Sequence, residues 1–468
     1  MKLLSQIALI VYMASIFAIF PASPVYSFSI GEEREVGEKL VYAIRSNFEV
    51  LDDPDLQQYL EMLGEEVLKV AGIQFFNYHF YVVENKEFNA FAAPSGLIFF
   101  HSGLIEQVDS ENELVSVLAH EIGHIVKRHI SSRIDKGKKI SLATMGMILA
   151  SLALGGGAGT EALLAGSLAV GQSASLHFSR QDEEEADLLA YDWMKKLGRN
   201  PEGQVKMLQT MRQIARYRSA MIPQYLLTHP NPEARLDYVQ TLVATDRDEI
   251  EKFPEIDNFS FLRFKYRIMA LTKDTITLRG HLASVISSSR TDKMEKVMAK
   301  YGVSQLDRLE NNYESSLTLL QEVIDEIGER NILLTDKGIM EFESGNSDKA
   351  YATLSEAFSQ DRSNMYAAFS LAKVCFQLGL LNKAQDLYST VMYELPEFSQ
   401  VYFELGRLSA AVDEAGMASY YLGKYYLIEG KLDIAKSNFQ KALQSDLLPE
   451  ELVLDTKQSL DLIERLKK

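Results

Sequence analysis

The residues best suited to chemistry stand together in the order His120-Glu121-Ile122-Gly123-His124. Residues four apart share one face of an α-helix, so the two imidazoles can bind a single metal ion. Zinc lowers the pKa of a bound water to about 7, and Glu121 can reach that water to accept its proton. By composition alone, with eight histidines in 468 residues, the pattern has roughly one chance in a hundred of arising. The spacing therefore predicts a metal-dependent hydrolytic site.

A catalytic zinc site needs a third protein ligand, and the best candidate lies in SRQDEEEADLLAYDWMKKLG, which begins at Ser179. Ser179 with Asp182 resembles a capping box, which predicts a helix start. Glu183 and Asp187 share a face of that helix, so Glu183 could bind the metal while Asp187 accepts the free N–H of a ligand histidine. Alternatively, successive glutamates near a helix N-terminus are simply solvated and favourable to its dipole. The presence of the HExxH motif earlier in the chain favours the interpretation of Glu183 as a metal ligand.

Other segments must position these side chains. Ser110 followed by Glu113 predicts the start of the HExxH helix just upstream of the motif. The segments FNYHFYVVEN and LIFF predict two strands, with the turn residues PSG before the second. From about Phe261 onward the pattern is helical throughout.

The second half contains a repeat, because Ala350, Ala384 and Ala418 are spaced by 34 residues. That is the period of a helix–turn–helix solenoid, in which small residues let two helices approach closely. After residue 418 the phase slips by half a repeat, so one helix is expected to serve two overlapping units. The pattern resembles tetratricopeptide (TPR) repeats over about residues 331–448. Such a solenoid presents a concave surface to a peptide or partner protein.

Composition excludes several classes of protein. The chain has 65 Asp and Glu against 48 Lys and Arg, a formal net charge of −17, which argues against nucleic-acid binding. Its length of 468 residues suggests two or three domains. The single cysteine, Cys375, excludes an intrachain disulfide and a cysteine-based zinc cage, and we expect it to be a buried thiol.

Residues 1–27 read as a secretory signal peptide, with Lys2 before an apolar stretch and small residues near position 27. An uncleaved membrane anchor is the alternative, but Pro21 and Pro24 favour cleavage. No cysteine lies near the junction, which excludes a lipid-anchored protein. A second apolar stretch, residues 140–171, contains the segment GGGAG. It is expected to form two packed helices or a mobile flap, with peripheral membrane contact as the alternative.

Several motifs together resemble the HtpX/BepA/CAAX-endopeptidase family of zinc metallopeptidases. They are HEIGH, the later SRxxExEAD pattern, Gly31-Glu32-Glu33, Thr228-His229-Pro230 with Arg235, and NAFAAPSG at residues 89–96, where Ser95 replaces a usual glycine. The resemblance covers about residues 30–242. A signal peptide and TPR repeats narrow it to the periplasmic BepA-like branch.

The resemblance implies roles for individual residues. His120, His124 and Glu183 would be zinc ligands, Glu121 the general base and Asp187 their supporting carboxylate. His229 would occupy the fourth zinc position or help to stabilise the oxyanion, and Arg235 would steady oxyanion charge or pair with a carboxylate. His129 is expected at the surface or as a partner of the helix dipole. The substrate would add a strand to the sheet edge, placed by analogy near residues 97–100.

These observations predict a mainly α protein: a signal peptide at 1–27, an α+β zincin-like domain at 28–250 with a small sheet, and a helical TPR solenoid at 251–468. The predicted function is an exported endopeptidase with one zinc ion per chain, acting on unfolded or misassembled envelope proteins. The alternative is a TPR chaperone or assembly factor for outer-membrane proteins whose protease site is largely latent. Outer-membrane assembly machinery is the partner expected through the TPR repeats. A periplasmic location assumes a host with two membranes.

Overall fold

A computed structural model describes residues 29–136, 178–217 and 224–467. The predicted signal peptide and the apolar stretch 140–171 lie outside the described residues. Within the described part of the chain, no helix has the length and apolar character needed to cross a bilayer.

The first half combines helices with three short strands. Helices and strands occur in the order α1 (Ile30–Asn47), α2 (Pro54–Ala71), β1 (His79–Val83), β2 (Ala90–Ala93), β3 (Leu97–His101), α3 (Ser102–Gln107), α4 (Glu111–Val126), α5 (His129–Lys136), α6 (Arg180–Lys196), α7 (Glu202–Tyr217), α8 (Gln224–Thr228), α9 (Pro232–Thr245) and α10 (Arg247–Ile250).

The three strands form one sheet in the order β1-β3-β2. β1 runs parallel to β3 with His79 opposite Leu97, and β2 runs antiparallel to β3 with Ala90 opposite Phe100. The expectation that the sheet edge lies near residues 97–100 is therefore wrong, because β3 is the central strand. A single 3-10 turn between β2 and β3, with Ser95 and Gly96 at positive φ, folds β2 back along β3. β2 was not predicted as a strand.

Both faces of the sheet are covered. α1 packs on one face, where Leu40 and Ile44 meet Phe91 and Phe99. α2 and α4 pack on the other face, against the strand residues whose side chains alternate to that side. The HExxH helix therefore lies directly under the sheet, and its placement is set by ordinary apolar burial.

The second half is helical throughout, as predicted. Its helices are α11 (Phe259–Thr272), α12 (Thr275–Ser287), α13 (Lys293–Leu309), α14 (Tyr313–Ile327), α15 (Asn331–Glu343), α16 (Ser347–Gln360), α17 (Met365–Gln377), α18 (Leu381–Glu394), α19 (Ser399–Ala411), α20 (Ala415–Ile428), α21 (Leu432–Ala442) and α22 (Glu450–Leu466). The mainly α fold class, with a small sheet followed by a helical solenoid, is confirmed.

The 34-residue period corresponds to consecutive helical hairpins. Ala350, Ala384 and Ala418 are buried on α16, α18 and α20, the second helices of three successive hairpins. α20 packs against both α19 and α21, as expected for a helix that serves two overlapping units. Cys375 is buried on α17 as an ordinary core residue, in agreement with the prediction.

The two halves share one core. A single apolar cluster contains side chains from Leu56 to Met340 and so crosses the predicted domain boundary near residue 250. The residues 28–250 and 251–468 remain our proposed division of the chain. The halves are also joined by buried ion pairs between the start of α2, helix α11 and helix α15.

Candidate metal centre

Helix α4 carries the HExxH motif on a buried segment. The Ser110 hydroxyl accepts a hydrogen bond from the Glu113 N–H, so the predicted N-cap is present. His120 and His124 are both buried, and their Nε2 atoms lie 3.0 Å apart. The i, i+4 spacing thus brings two imidazole nitrogens to one point beneath the sheet.

Helix α6 contributes a carboxylate to the same point. Ser179 and Asp182 form a reciprocal capping box, as predicted, and Glu183 follows in the first turn. The Glu183 carboxylate is buried, with its oxygens 3.4 Å from His124 Nε2 and 3.7 Å from His120 Nε2. The structure therefore does not support the alternative of a solvated glutamate at this position.

His229 completes the cluster from the segment that follows α8. Its Nδ1 lies 3.3 Å from His120 Nε2 and 3.0 Å from Glu183 Oε1, and its ring is fully buried. One ligand atom from each of His120, His124, Glu183 and His229 lies within 4.8 Å of every other. Residues that are up to 109 positions apart in sequence thus converge on one small volume.

The donor set fits a tetrahedral zinc ion. Ligands about 2.0–2.1 Å from a tetrahedral centre are about 3.3 Å from one another. His120 Nε2 lies 3.0 Å from His124 Nε2 and 3.3 Å from His229 Nδ1, and the Glu183 oxygens lie 3.0–3.7 Å from the three imidazole nitrogens. Imidazole nitrogen and carboxylate oxygen are donors that zinc accepts. With His229 in this position, the protein itself offers all four ligands.

The electrostatics favour the ligand forms of these groups. Burial lowers the pKa of His124 well below its usual value, which keeps the imidazole neutral. Burial opposes ionisation of Glu183, but the neighbouring His229 ring and the Arg235 guanidinium outweigh it, so the pKa of Glu183 is well below normal. The site therefore holds a neutral imidazole and a carboxylate ready to bind a cation.

Asp187 and Arg235 contact the candidate ligands and hold their side chains in place. Asp187 Oδ1 lies 2.9 Å from His120 Nδ1, which leaves His120 Nε2 to face the other ligand atoms. Arg235 donates to both oxygens of Asp187, over 2.7 and 2.8 Å, and its Nη1 lies 2.6 Å from Glu183 Oε2. Burial opposes ionisation of Asp187, but Arg235 and His120 outweigh it and hold its pKa well below normal. Of the two alternatives for Arg235, the structure shows carboxylate pairing.

Glu121 lies between the metal centre and the sheet, with its Oε1 3.6 Å from His229 Nε2. Its Oε2 accepts a hydrogen bond of 2.9 Å from the Ala92 N–H on β2, and its Oε1 lies 3.5 Å from the Tyr225 hydroxyl. Burial raises the pKa of this carboxylate to about 7. A carboxylate with a pKa near neutrality can both accept and return a proton.

Three aromatic or imidazole side chains near the centre were not found from the sequence. Phe178 stacks on His124 with ring centroids 3.8 Å apart, and Tyr225 lies 4.4 Å from the His229 ring. His129 was expected at the surface or beside the helix dipole, and this is wrong, because it is buried against His124. The expectation assumed that α4 continues, whereas α4 ends at Val126 and the chain turns. No sequence motif identifies these three residues as part of the centre.

Comparison with known proteins supports a peptidase. Residues 54–243 match the model of peptidase family M48. A beta-barrel assembly-enhancing protease of Yersinia pestis is 30% identical over 303 residues, which cover 63% of this chain and 60% of the relative. The protein of the same name from Escherichia coli K12 is 34% identical over 212 residues, 44% of this chain and 43% of the relative. The chain thus matches less than two thirds of the length of these relatives.

Other proteins show weaker similarity to this chain. Metalloprotease LoiP of Escherichia coli is 29% identical over 177 residues, which cover 36% of this chain and 64% of the relative. Among solved structures, a tetratricopeptide repeat protein from Parabacteroides merdae matches 49% of this chain and 92% of its own, with 16% identity and a TM-score of 0.27.

Proposed function

We propose that the chain, whose residues 54–243 match the model of peptidase family M48, is an exported zinc endopeptidase for unfolded or misassembled envelope proteins. The observation that carries the proposal is the buried cluster of three imidazoles and one carboxylate beside Glu121. In it, His120, His124 and Glu183 are the metal ligands. Asp187 orients His120, and Arg235 holds both carboxylates in place.

In the proposed reaction a water molecule attacks the carbonyl carbon of the scissile peptide bond. Zinc, when bound, polarises that carbonyl and makes the water more acidic. Glu121 accepts the proton of the attacking water and delivers it to the amine that leaves. Its burial and its raised pKa of about 7 suit both transfers. A cation bound nearby would lower that pKa and favour the basic form.

The peptide substrate is proposed to lie along β2, the strand next to Glu121. β2 is an outer strand of the sheet, and the Ala92 N–H already donates to Glu121 Oε2 over 2.9 Å. A peptide that adds a strand to the edge of a sheet is held by main-chain hydrogen bonds, with little demand on its sequence. This mode of binding suits unfolded proteins as a substrate class.

The location and partners follow from the leader sequence and the relatives. The signal-peptide pattern at residues 1–27 supports export to the periplasm of a bacterium with two membranes. The names of the relatives from Yersinia pestis and Escherichia coli refer to beta-barrel assembly. We therefore propose outer-membrane proteins, and the machinery that assembles them, as the partners of the helical solenoid.

The test compares Glu121→Gln with Glu184→Gln, a change at an exposed glutamate of α6. Glu121→Gln should bind one zinc ion as the wild type does and lose peptide hydrolysis by at least 10²-fold, the usual contribution of a general base. Glu184→Gln should retain both properties. Continued cleavage by Glu121→Gln at the wild-type rate would contradict the proposed mechanism.

A second function is favoured by the position of His229. Because His229 offers a fourth donor atom, a tetrahedral ion held by all four residues would have no open position for water or substrate. The chain could therefore act mainly as a TPR chaperone or assembly factor with a latent protease. Under this alternative, the full-length Glu121→Gln chain restores barrel assembly in a deletion strain. Failure to restore it would favour the protease. Deleting the solenoid is a poor test, because the two halves share a core.

A further inference from the structure

His129 is a buried histidine in contact with the candidate metal centre. Only 5% of the residue is exposed. Its Nδ1 lies 2.9 Å from His124 Nδ1, and its Nε2 lies 3.2 Å from Glu185 Oε2, with Asp182 Oδ1 at 3.9 Å. It therefore connects a proposed metal ligand to a half-exposed carboxylate on α6.

An unusual turn brings His129 to this position. Helix α4 ends at Val126, Arg128 adopts a left-handed conformation with φ 53°, and α5 begins at His129. Left-handed backbone is unfavourable for a residue with a side chain as large as arginine. The Arg128 guanidinium is held by the buried carboxylate of Glu33, 2.9 Å away. Had α4 continued, residue 129 would lie nearly half a turn away from the face of His124.

The ring hydrogens of His124 and His129 can be assigned in one consistent way. A histidine that binds a metal through Nε2 carries its hydrogen on Nδ1. In His124 that N–H points at His129 Nδ1, which must then be an acceptor. His129 consequently carries its own hydrogen on Nε2, where Glu185 accepts it. Each of these ring nitrogens then has one defined partner.

We propose that His129 is a positioning residue for the metal centre, which fixes the tautomer and the ring orientation of His124. The inference rests on the proposed function, because it concerns a ligand of the proposed zinc site. His129 serves His124 as Asp187 serves His120: each accepts the Nδ1–H of one ligand histidine. The two ligands thus have different hydrogen-bond acceptors. His120 donates to the buried carboxylate of Asp187, whereas His124 donates to the neutral imidazole of His129, which in turn donates to Glu185.

The experiment measures zinc affinity of the full chain by competition with a chelator, together with the absorption spectrum of the cobalt-loaded chain. His129→Leu removes the acceptor, while His129→Gln retains a carbonyl oxygen that can accept from His124. The control is His281→Leu, a change at an exposed histidine of α12. Fluorescence of Trp193, buried on α6, verifies that each variant is folded.

His129→Leu should weaken zinc binding about 10- to 100-fold, the usual effect of losing such a partner, and alter the cobalt spectrum. His129→Gln should recover to within about threefold of the wild type, the residual loss that an imperfectly placed acceptor would leave. Wild-type affinity in His129→Leu, or equal loss in both variants, would overturn the proposal even if the proposed peptidase function stands.

A wild-type chain that binds no zinc would instead contradict the proposed function. The role of His129 is then decided in the metal-free chain by NMR of ¹⁵N-labelled histidine. The Nδ1-protonated form of His124 should dominate in the wild type and in His129→Gln and should lose its dominance in His129→Leu. The same tautomer in all three chains would overturn the proposal.

Discussion

Replacing Arg263 with methionine should destabilise both halves of the protein together. Arg263 on α11 donates to both oxygens of Asp55, over 2.7 Å each, and to Asp336 over 2.9 and 3.0 Å. Arg267 contacts the same two carboxylates and Asp53. Three carboxylates thus share two guanidinium groups, and both arginines are buried. The cluster joins the start of α2 to α11 and α15.

The expected cost follows from the charge that the substitution leaves behind. Methionine keeps most of the apolar stem but leaves Asp55 and Asp336 with only Arg267 as a positive partner. Removing one member of a buried ion pair typically costs about 3–5 kcal/mol. Burial opposes ionisation of Asp55, but Arg263 and Arg267 outweigh it and hold its pKa below the usual value. Losing Arg263 would raise that pKa, so the destabilisation should be largest near neutral pH and should shrink as the pH falls and Asp55 binds a proton.

Urea denaturation followed by two probes measures the loss in the free energy of unfolding. The chain has a single tryptophan, Trp193, buried on α6 in the peptidase half, whereas far-UV circular dichroism follows all helices. With an m-value of about 3–5 kcal/mol per M, 3–5 kcal/mol corresponds to a midpoint shift of about 1 M. Because Arg263 joins the halves, the Trp193 transition should shift together with the circular dichroism.

The matched control is Arg247→Met, which removes an exposed i, i+4 ion pair with Glu251. Such a pair contributes at most about 1 kcal/mol, so the control should shift the midpoint by much less. Two results would refute the reasoning. A shift for Arg263→Met no larger than the control would mean that the buried cluster adds no stability. An unchanged Trp193 transition beside a shifted circular dichroism would mean that the halves unfold independently.

Three further predictions concern the metal centre, acid stability and the solenoid. Glu183→Ala should lose most of the single zinc ion that metal analysis finds in the wild type, because a ligand is removed; full zinc content would refute the assignment. His101 is buried, which lowers its pKa from 6.5 to about 3. The unfolded chain therefore binds the proton first, and His101→Leu should reduce the loss of stability between pH 7 and 5 by about 2 kcal/mol in urea titrations; an unchanged pH dependence would contradict this. Gly338→Ala places a Cβ 2.6 Å from a buried leucine of α16 and should cost about 1–3 kcal/mol. The control Gly280→Ala, in open space on α12, should stabilise the protein by up to about 1 kcal/mol. Equal urea midpoints for the two glycine variants would contradict the packing argument.

Features with a short period were predictable from the sequence alone. The four-residue spacing of His120 and His124 places both on one helix face wherever the helix lies. The caps at Ser110 and Ser179 depend on hydrogen bonds between residues three apart, and both are present. The 34-residue period of the alanines likewise needs only neighbouring helices to pack. In each case the relevant contacts lie within one element or between adjacent ones.

Features that join distant segments were decided by the tertiary structure. The sheet edge was placed wrongly near residues 97–100, because hydrophobic alternation identifies a strand but does not say which strand is central. His129 was misplaced because a left-handed Arg128 ends the helix, a conformation that no local signal requires of an arginine. The ion cluster joins Asp55 to Arg263 across 208 positions. Its charges are stable in the interior only because packing of the whole chain brings opposite signs together, and a linear sequence does not encode that contact locally.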